Sequence, residues 1–237
     1  APDFFGNPTT LNYWGVWNYA EFIGYIGILP LSLAILSIVL KKNKTVLFFW
    51  ALTLLYLIFA LPNFLAKIPY VLNLPFLSSA QPTRLLFLTS FSLAVLSAFG
   101  FDYFIKKANK LNVVPLILIG GVLALLFSAL TLGQFNIDPQ NLAVAKRNLI
   151  FPIAIMLVFL ALSFFYIFSK ERYQRIITLG LLFLVVIDLF RFGWKFTPFT
   201  PKEYLFPQTK TTKFLQKNLG EFRIMSADPR ILPPNFS

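Results

Sequence analysis

Six apolar runs, each of roughly 15–22 residues and joined by short polar connections, constrain this chain more than any other feature. They cover residues 22–40, 45–61, 85–104, 113–132, 149–168 and 176–190. A helix rises 1.5 Å per residue, so about 20 residues cross the hydrocarbon core of a bilayer. In lipid the backbone must satisfy its own hydrogen bonds, and these runs lack the alternation of barrel strands. The spacing predicts an all-α polytopic membrane protein with about six spans, occupying residues 1–195. Composition agrees. The chain is 57% hydrophobic and 13% charged, against roughly 25% charged in soluble domains.

The net charge is +12. Nine cations, Lys41, Lys42, Lys44, Lys106, Lys107, Lys110, Lys170, Arg172 and Arg175, fall in three short loops between apolar runs. The alternate loops carry four: Lys67, Arg84, Lys146 and Arg147. This asymmetry suits orientation signals, with the nine in the cytoplasm, and not a nucleic-acid-binding face. Both ends of the chain are then expected outside the plasma membrane. Tyr13, Trp14, Trp17 and Tyr19 before the first span, and Phe192 and Trp194 after the sixth, fit an aromatic belt there. The start at Ala1-Pro2-Asp3, without Met or a signal peptide, and the end in a polar stretch are those expected of a piece of a longer protein.

Residues 62–84 are too apolar for a free loop and too broken, by Pro69 and Pro75, to span. They predict an interfacial or re-entrant segment on the outer leaflet. From residue 196 the composition turns polar. A short helix over 211–219 ended by Gly220, then a strand over 221–227, would open an extracytoplasmic domain.

There is no Cys and no His. That removes thiol chemistry, the commonest general base and the commonest metal ligand. No cofactor motif is evident, and a divalent metal is left open. Arg84, at the mouth of the third span, is either an ordinary snorkelling arginine at a helix end or a phosphate clamp. Glu21 either favours the first helix dipole or partners Arg84. Asp188, inside the sixth span, is either a functional intramembrane carboxylate or a structural partner of Arg191 at i+3. Asp102 pairs with Lys106 one turn on. Asp3 has no local feature that decides its role, and Asp138 reads as solvated. Gly120-Gly121 reads as a close-packing feature of the fourth span.

Several phrases taken in order carry a resemblance. They are Asn12-Tyr13-Trp14-Gly15, Glu21-Phe22-Ile23-Gly24-Tyr25-Ile26-Gly27-Ile28-Leu29-Pro30-Leu31, Pro82-Thr83-Arg84-Leu85-Leu86-Phe87-Leu88 and Ala98-Phe99-Gly100-Phe101-Asp102, with Phe222-Arg223-Ile224 and Leu232-Pro233-Pro234-Asn235 in the tail. Together they resemble the middle portion of the bacterial YfhO-type membrane proteins, which look like relatives of the GT-C polytopic glycosyltransferases. The resemblance implies sugar transfer at the outer membrane face. The donor would be a polyprenyl-phosphate-linked sugar, and the acceptor a cell-surface glycan or teichoic-acid-type polymer. It places the catalytic carboxylate in an outer loop before residue 1, so this chain alone is expected to be inactive. It carries the family's arginine onto Arg84 and its acid and tyrosine onto Glu21 and Tyr25. Two other readings stay open: a transporter or flippase of lipid-linked sugars, which calls for polar groups and broken helices near the midplane, and a non-catalytic membrane scaffold.

Overall fold

The computed structural model describes residues 3–15, 18–40, 43–75, 78–79, 81–107, 114–133, 135–196, 201–202, 208–218 and 220. Among these there is helix but no strand. Two units are distinguished, residues 1–196 and 197–237.

The first unit is a helical bundle. Its helices are α1 (Ile28–Leu36), α2 (Lys44–Ala60), α3 (Phe64–Val71), α4 (Leu86–Lys106), α5 (Val114–Thr131), α6 (Pro139–Phe168) and α7 (Glu171–Gly193). The last four, α4 with its preceding 3-10 turn, are long and apolar enough to cross a membrane. The pair α2 and α3, bent by 69° at a short break, passes the same test together. Pro62 lies at that break, where the residue before a proline avoids helical backbone. Asn63 then caps α3, accepting hydrogen bonds from the Leu65 and Ala66 amides. Within the 62–84 segment, α3 is a short helix turned off the end of α2, with Phe64 and Val71 each 77% exposed.

Large apolar side chains cover the outside of the bundle. Leu118, Val122 and Leu125 on α5 and Leu179, Phe183 and Phe190 on α7 are all mostly exposed. A soluble protein rarely presents such a surface, whereas hydrocarbon solvates it. The chain is a multi-pass membrane protein by this measure.

The core sits around α1. Leu29, Leu33 and Leu36 pack with Phe104, Leu116, Met156, Phe159 and Leu181 from α4, α5, α6 and α7. On its other side Ala34 meets Val46, Leu93 and Leu96 of α2 and α4. Helices α1 and α4 approach tightly at Gly100, where any Cβ would collide with the Leu33 carbonyl. Gly120 and Gly121 do not serve this purpose. A Cβ on Gly120 would make ordinary contact with Leu160 and Met156 at 3.5 Å, and Gly121 has nothing within 4 Å.

Residues 22–40 do not form one helix. The chain runs without helix from Ile23 to Gly27, and α1 is only nine residues long, followed by a 3-10 turn at Ser37–Leu40. Gly27 has φ +94°, a left-handed backbone that side chains disfavour. It leaves no side-chain cap at the start of α1. The run at 149–168 differs in the other sense. Asp138 caps a helix already formed at Pro139, so Gln140, Asn141, Lys146 and Arg147 extend it past the apolar stretch. Likewise α7 extends beyond 176–190 in both directions.

Helix contacts group the connections at two ends of the bundle. At one end Tyr166 at the foot of α6 donates to the Ile105 carbonyl at the foot of α4, 3.1 Å away. Lys106 pairs there with Asp102 at 2.8 Å, as the spacing anticipates. The other end gathers the N-terminal loops, the starts of α1, α4 and α6, and the end of α7. Lys41, Lys42, Lys110, Trp17, Phe76 and Leu77 lie outside the described residues.

In the second unit a helix, α8, spans Lys210–Asn218 and Gly220 has φ +56°. This matches the expected short helix and its glycine stop. The strand expected over 221–227 lies outside the described residues.

Candidate functional site

The end of the bundle that gathers the N-terminal loops holds two polar constellations on either side of a small cavity. The first is a clasp around Asp3. Asn7 stays buried because it caps a short turn, its Oδ1 accepting from the Thr9 amide and hydroxyl. Its Nδ2 donates to Asp3 Oδ1 at 2.9 Å and to Tyr19 Oη at 3.1 Å. Tyr19 donates to the same Asp3 oxygen, and Lys195, just past α7, forms an ion pair with the other. From α6, Asn148 donates to the Asp3 carbonyl at 2.6 Å. Burial acts to raise the Asp3 pKa, but the hydrogen bonds from Lys195, Tyr19 and Asn7 and the Lys195 charge outweigh it and hold the carboxyl below its ordinary value. Tyr19 is pushed up, first by burial and then by the Asp3 carboxylate it donates to.

Around this clasp, Phe5 packs edge-on against Trp14 at 4.8 Å. Trp14 therefore turns into the protein, its indole N–H buried and unpartnered, and is not a member of an interfacial belt. Trp194, 65% exposed, does face outward.

The second constellation centres on Asp188, which is buried on α7. Its Oδ2 accepts from the Ile28 amide at 2.6 Å, and its Oδ1 accepts from the Tyr25 hydroxyl. Asp188 thereby supplies, from a different helix, the cap that Gly27 cannot give α1. A Cβ on Gly27 would lie 3.1 Å from this carboxylate, so glycine is what allows the approach. The i+3 pairing expected from sequence is absent among the described residues. Arg191 lies instead over the Phe151 ring at 4.3 Å. A buried carboxylate is better satisfied by two aligned donors than by a cation on its own helix that can reach an aromatic face. Between the two constellations is a cavity of about 20 Å³, lined by Asp3, Asn148, Asp188, Arg191 and Lys195 with Phe151, Pro152 and Phe192.

Tyr25 also faces the other way. Packed against Phe192 with ring centroids 4.8 Å apart and planes tilted by 55°, it lines a groove of about 330 Å³ with Ala20, Glu21, Ile23, Thr83, Arg84, Leu86, Phe87 and Ser90. Arg84 lies at the start of α4, 3.5 Å from Glu21, with its side chain 74% exposed. One guanidinium nitrogen faces Glu21, which leaves donors for an anion. The groove thus has an apolar flank at Ile23, Leu86 and Phe87 and a charged mouth.

No family model, curated protein or solved structure matches this chain.

The structure brings Arg84, Glu21, Tyr25 and Asp188 together, three in the groove and one behind it. Asp102 stands at the opposite end of the bundle. Asp138 caps α6 and is not simply solvated. Sequence reasoning left Asp3 open and missed Asn7, Asn148 and Lys195. Asp3 and Lys195 lie 192 positions apart, and no spacing rule links them. Among the described residues no three acidic side chains gather as a metal site would require.

Proposed function

We propose that this chain forms the donor-binding part of a YfhO-type, GT-C-like membrane glycosyltransferase. In this reading its helices make six crossings, counting the short α1 together with its unwound approach. The Lys-rich connections face the cytoplasm and the groove opens at the outer face of the cell membrane. The donor is a polyprenyl-phosphate-linked sugar, and the acceptor is a cell-surface glycan or teichoic-acid-type polymer.

The observation that carries the reading is Arg84 at the mouth of a groove with an apolar flank. A lipid-phosphate donor needs hydrocarbon contact beside a cation at headgroup depth. Arg84 would bind the phosphate in two-pronged fashion and stabilise the charge it gains as the glycosidic bond breaks. Glu21 would hold the guanidinium in place when the groove is empty. The break at residues 23–27 adjoins this groove at Ile23 and Tyr25. That suits binding at one surface better than a path through the membrane.

The test is transfer from a polyprenyl-phosphate sugar in membranes containing the full-length protein, since the resemblance places the catalytic carboxylate before residue 1. Arg84→Ala is expected to lose at least about 100-fold in turnover, in the range for removal of a transition-state donor, while the protein inserts and folds normally. Unchanged turnover would remove Arg84 from the mechanism. Lipid movement without transfer would replace the enzyme reading with a flippase.

A further inference from the structure

Thr83 is 92% buried, being 8% exposed, and its hydroxyl has no hydrogen-bond partner, yet the residue lines the groove beside Arg84. A buried hydroxyl without a partner is unfavourable, so its persistence calls for an explanation. Across the same groove, Tyr25 has its proton committed to Asp188. Asp188 accepts from the Tyr25 hydroxyl with one oxygen and from the Ile28 amide with the other. The Tyr25 oxygen keeps acceptor capacity but has no proton to give. Phe192 packs against its ring at a 55° tilt. Thr83 and Tyr25 both line the groove with Arg84, the one bringing an unused hydroxyl beneath the wall and the other an acceptor oriented by Asp188.

We propose that Thr83 and Tyr25 read the hydroxyls of the headgroup sugar, with Asp188 as the positioning residue that turns Tyr25 into an acceptor, while Arg84 holds the phosphate. This rests on the reading of the groove as a lipid-phosphate donor site and assigns its parts. A site built to pair with hydroxyls rejects a ligand lacking them, because its own polar groups are then left unpaired.

The test measures binding of two probes to the full chain in lipid nanodiscs: a polyprenyl phosphate, and the same lipid bearing a neutral hexose. Thr83→Val and Tyr25→Phe should each weaken the hexose-bearing lipid about three- to tenfold, the range of one hydrogen bond, and leave the bare phosphate unchanged. Thr83→Ser should restore binding. Arg84→Ala should weaken both lipids. Thr83→Val should also raise thermal stability without ligand, since it removes an orphan hydroxyl. Equal losses for both lipids in the Thr83 and Tyr25 variants, or no loss for either, would overturn the assignment and leave the donor site standing. Failure of the unaltered protein to bind either lipid would overturn both.

Discussion

Helices α1 and α5 are both apolar, yet they are built for opposite surroundings. In α1 seven of nine residues are buried, whereas α5 buries only Leu116 and Leu130 over eighteen residues. The longer helix is the one that lipid surrounds, and it needs length because its own backbone must satisfy itself across the hydrocarbon. The shorter one is enclosed by protein, so its irregular start can borrow a partner from Asp188. Hydropathy therefore finds the lipid-facing helices readily and says least about the helix at the centre.

Truncation should separate the two most. Leu29→Ala, at a 1% exposed position of α1, is expected to destabilise the bundle by about 2–3 kcal/mol through the cavity it leaves. Leu125→Ala on α5, 71% exposed, should stay within about 0.5 kcal/mol. Reversible unfolding in mixed micelles measures both, and equal losses would erase the contrast. Glycine replacement sharpens it. Gly100→Ala forces a Cβ onto the Leu33 carbonyl and should destabilise by about 2 kcal/mol. Gly121→Ala meets nothing and should be neutral or stabilising by up to about 1 kcal/mol.

A smaller effect is expected from Asp188→Ala, which strips the Ile28 amide and the Tyr25 hydroxyl of their acceptor. The loss should be about 1–2 kcal/mol, because polar pairs in membranes contribute modestly. Hydrogen exchange should rise at the first turn of α1 and remain unchanged in α5. The smallest effect concerns the clasp. Because the folded Asp3 pKa is depressed, its contribution is present above the unfolded value near 3.9 and is lost as pH falls through the folded one. A stability profile from pH 6 to pH 3 should flatten at its acid end in Asp3→Asn.

Much of the architecture was legible in the sequence for a simple reason: a continuous apolar run in lipid has only one backbone solution. The 45–61 and 113–132 runs match α2 and α5 to within a residue, and 85–104 matches α4 closely. The start of α6 was not legible, because hydropathy reports membrane thickness while Asp138 and Pro139 decide where the helix begins. The break before α1 was written in Gly24 and Gly27, but glycine in an apolar run signals packing as often as unwinding. At the site, Arg84 and Glu21 could be suspected as partners because both stand at span mouths. The partner of Asp188 could not be, since the helical spacing rule searches only along α7 and the donors lie on another segment.

The bond from Ile28 to Asp188 spans 160 positions, which sets an order of events during synthesis. When the ribosome delivers residues 23–36 to the membrane, the carboxylate that completes their first turn has not yet been made. The centre of the bundle must wait, unfinished, for its last helix. A chain stalled before α7 would carry an uncapped, glycine-broken segment at the heart of its bundle.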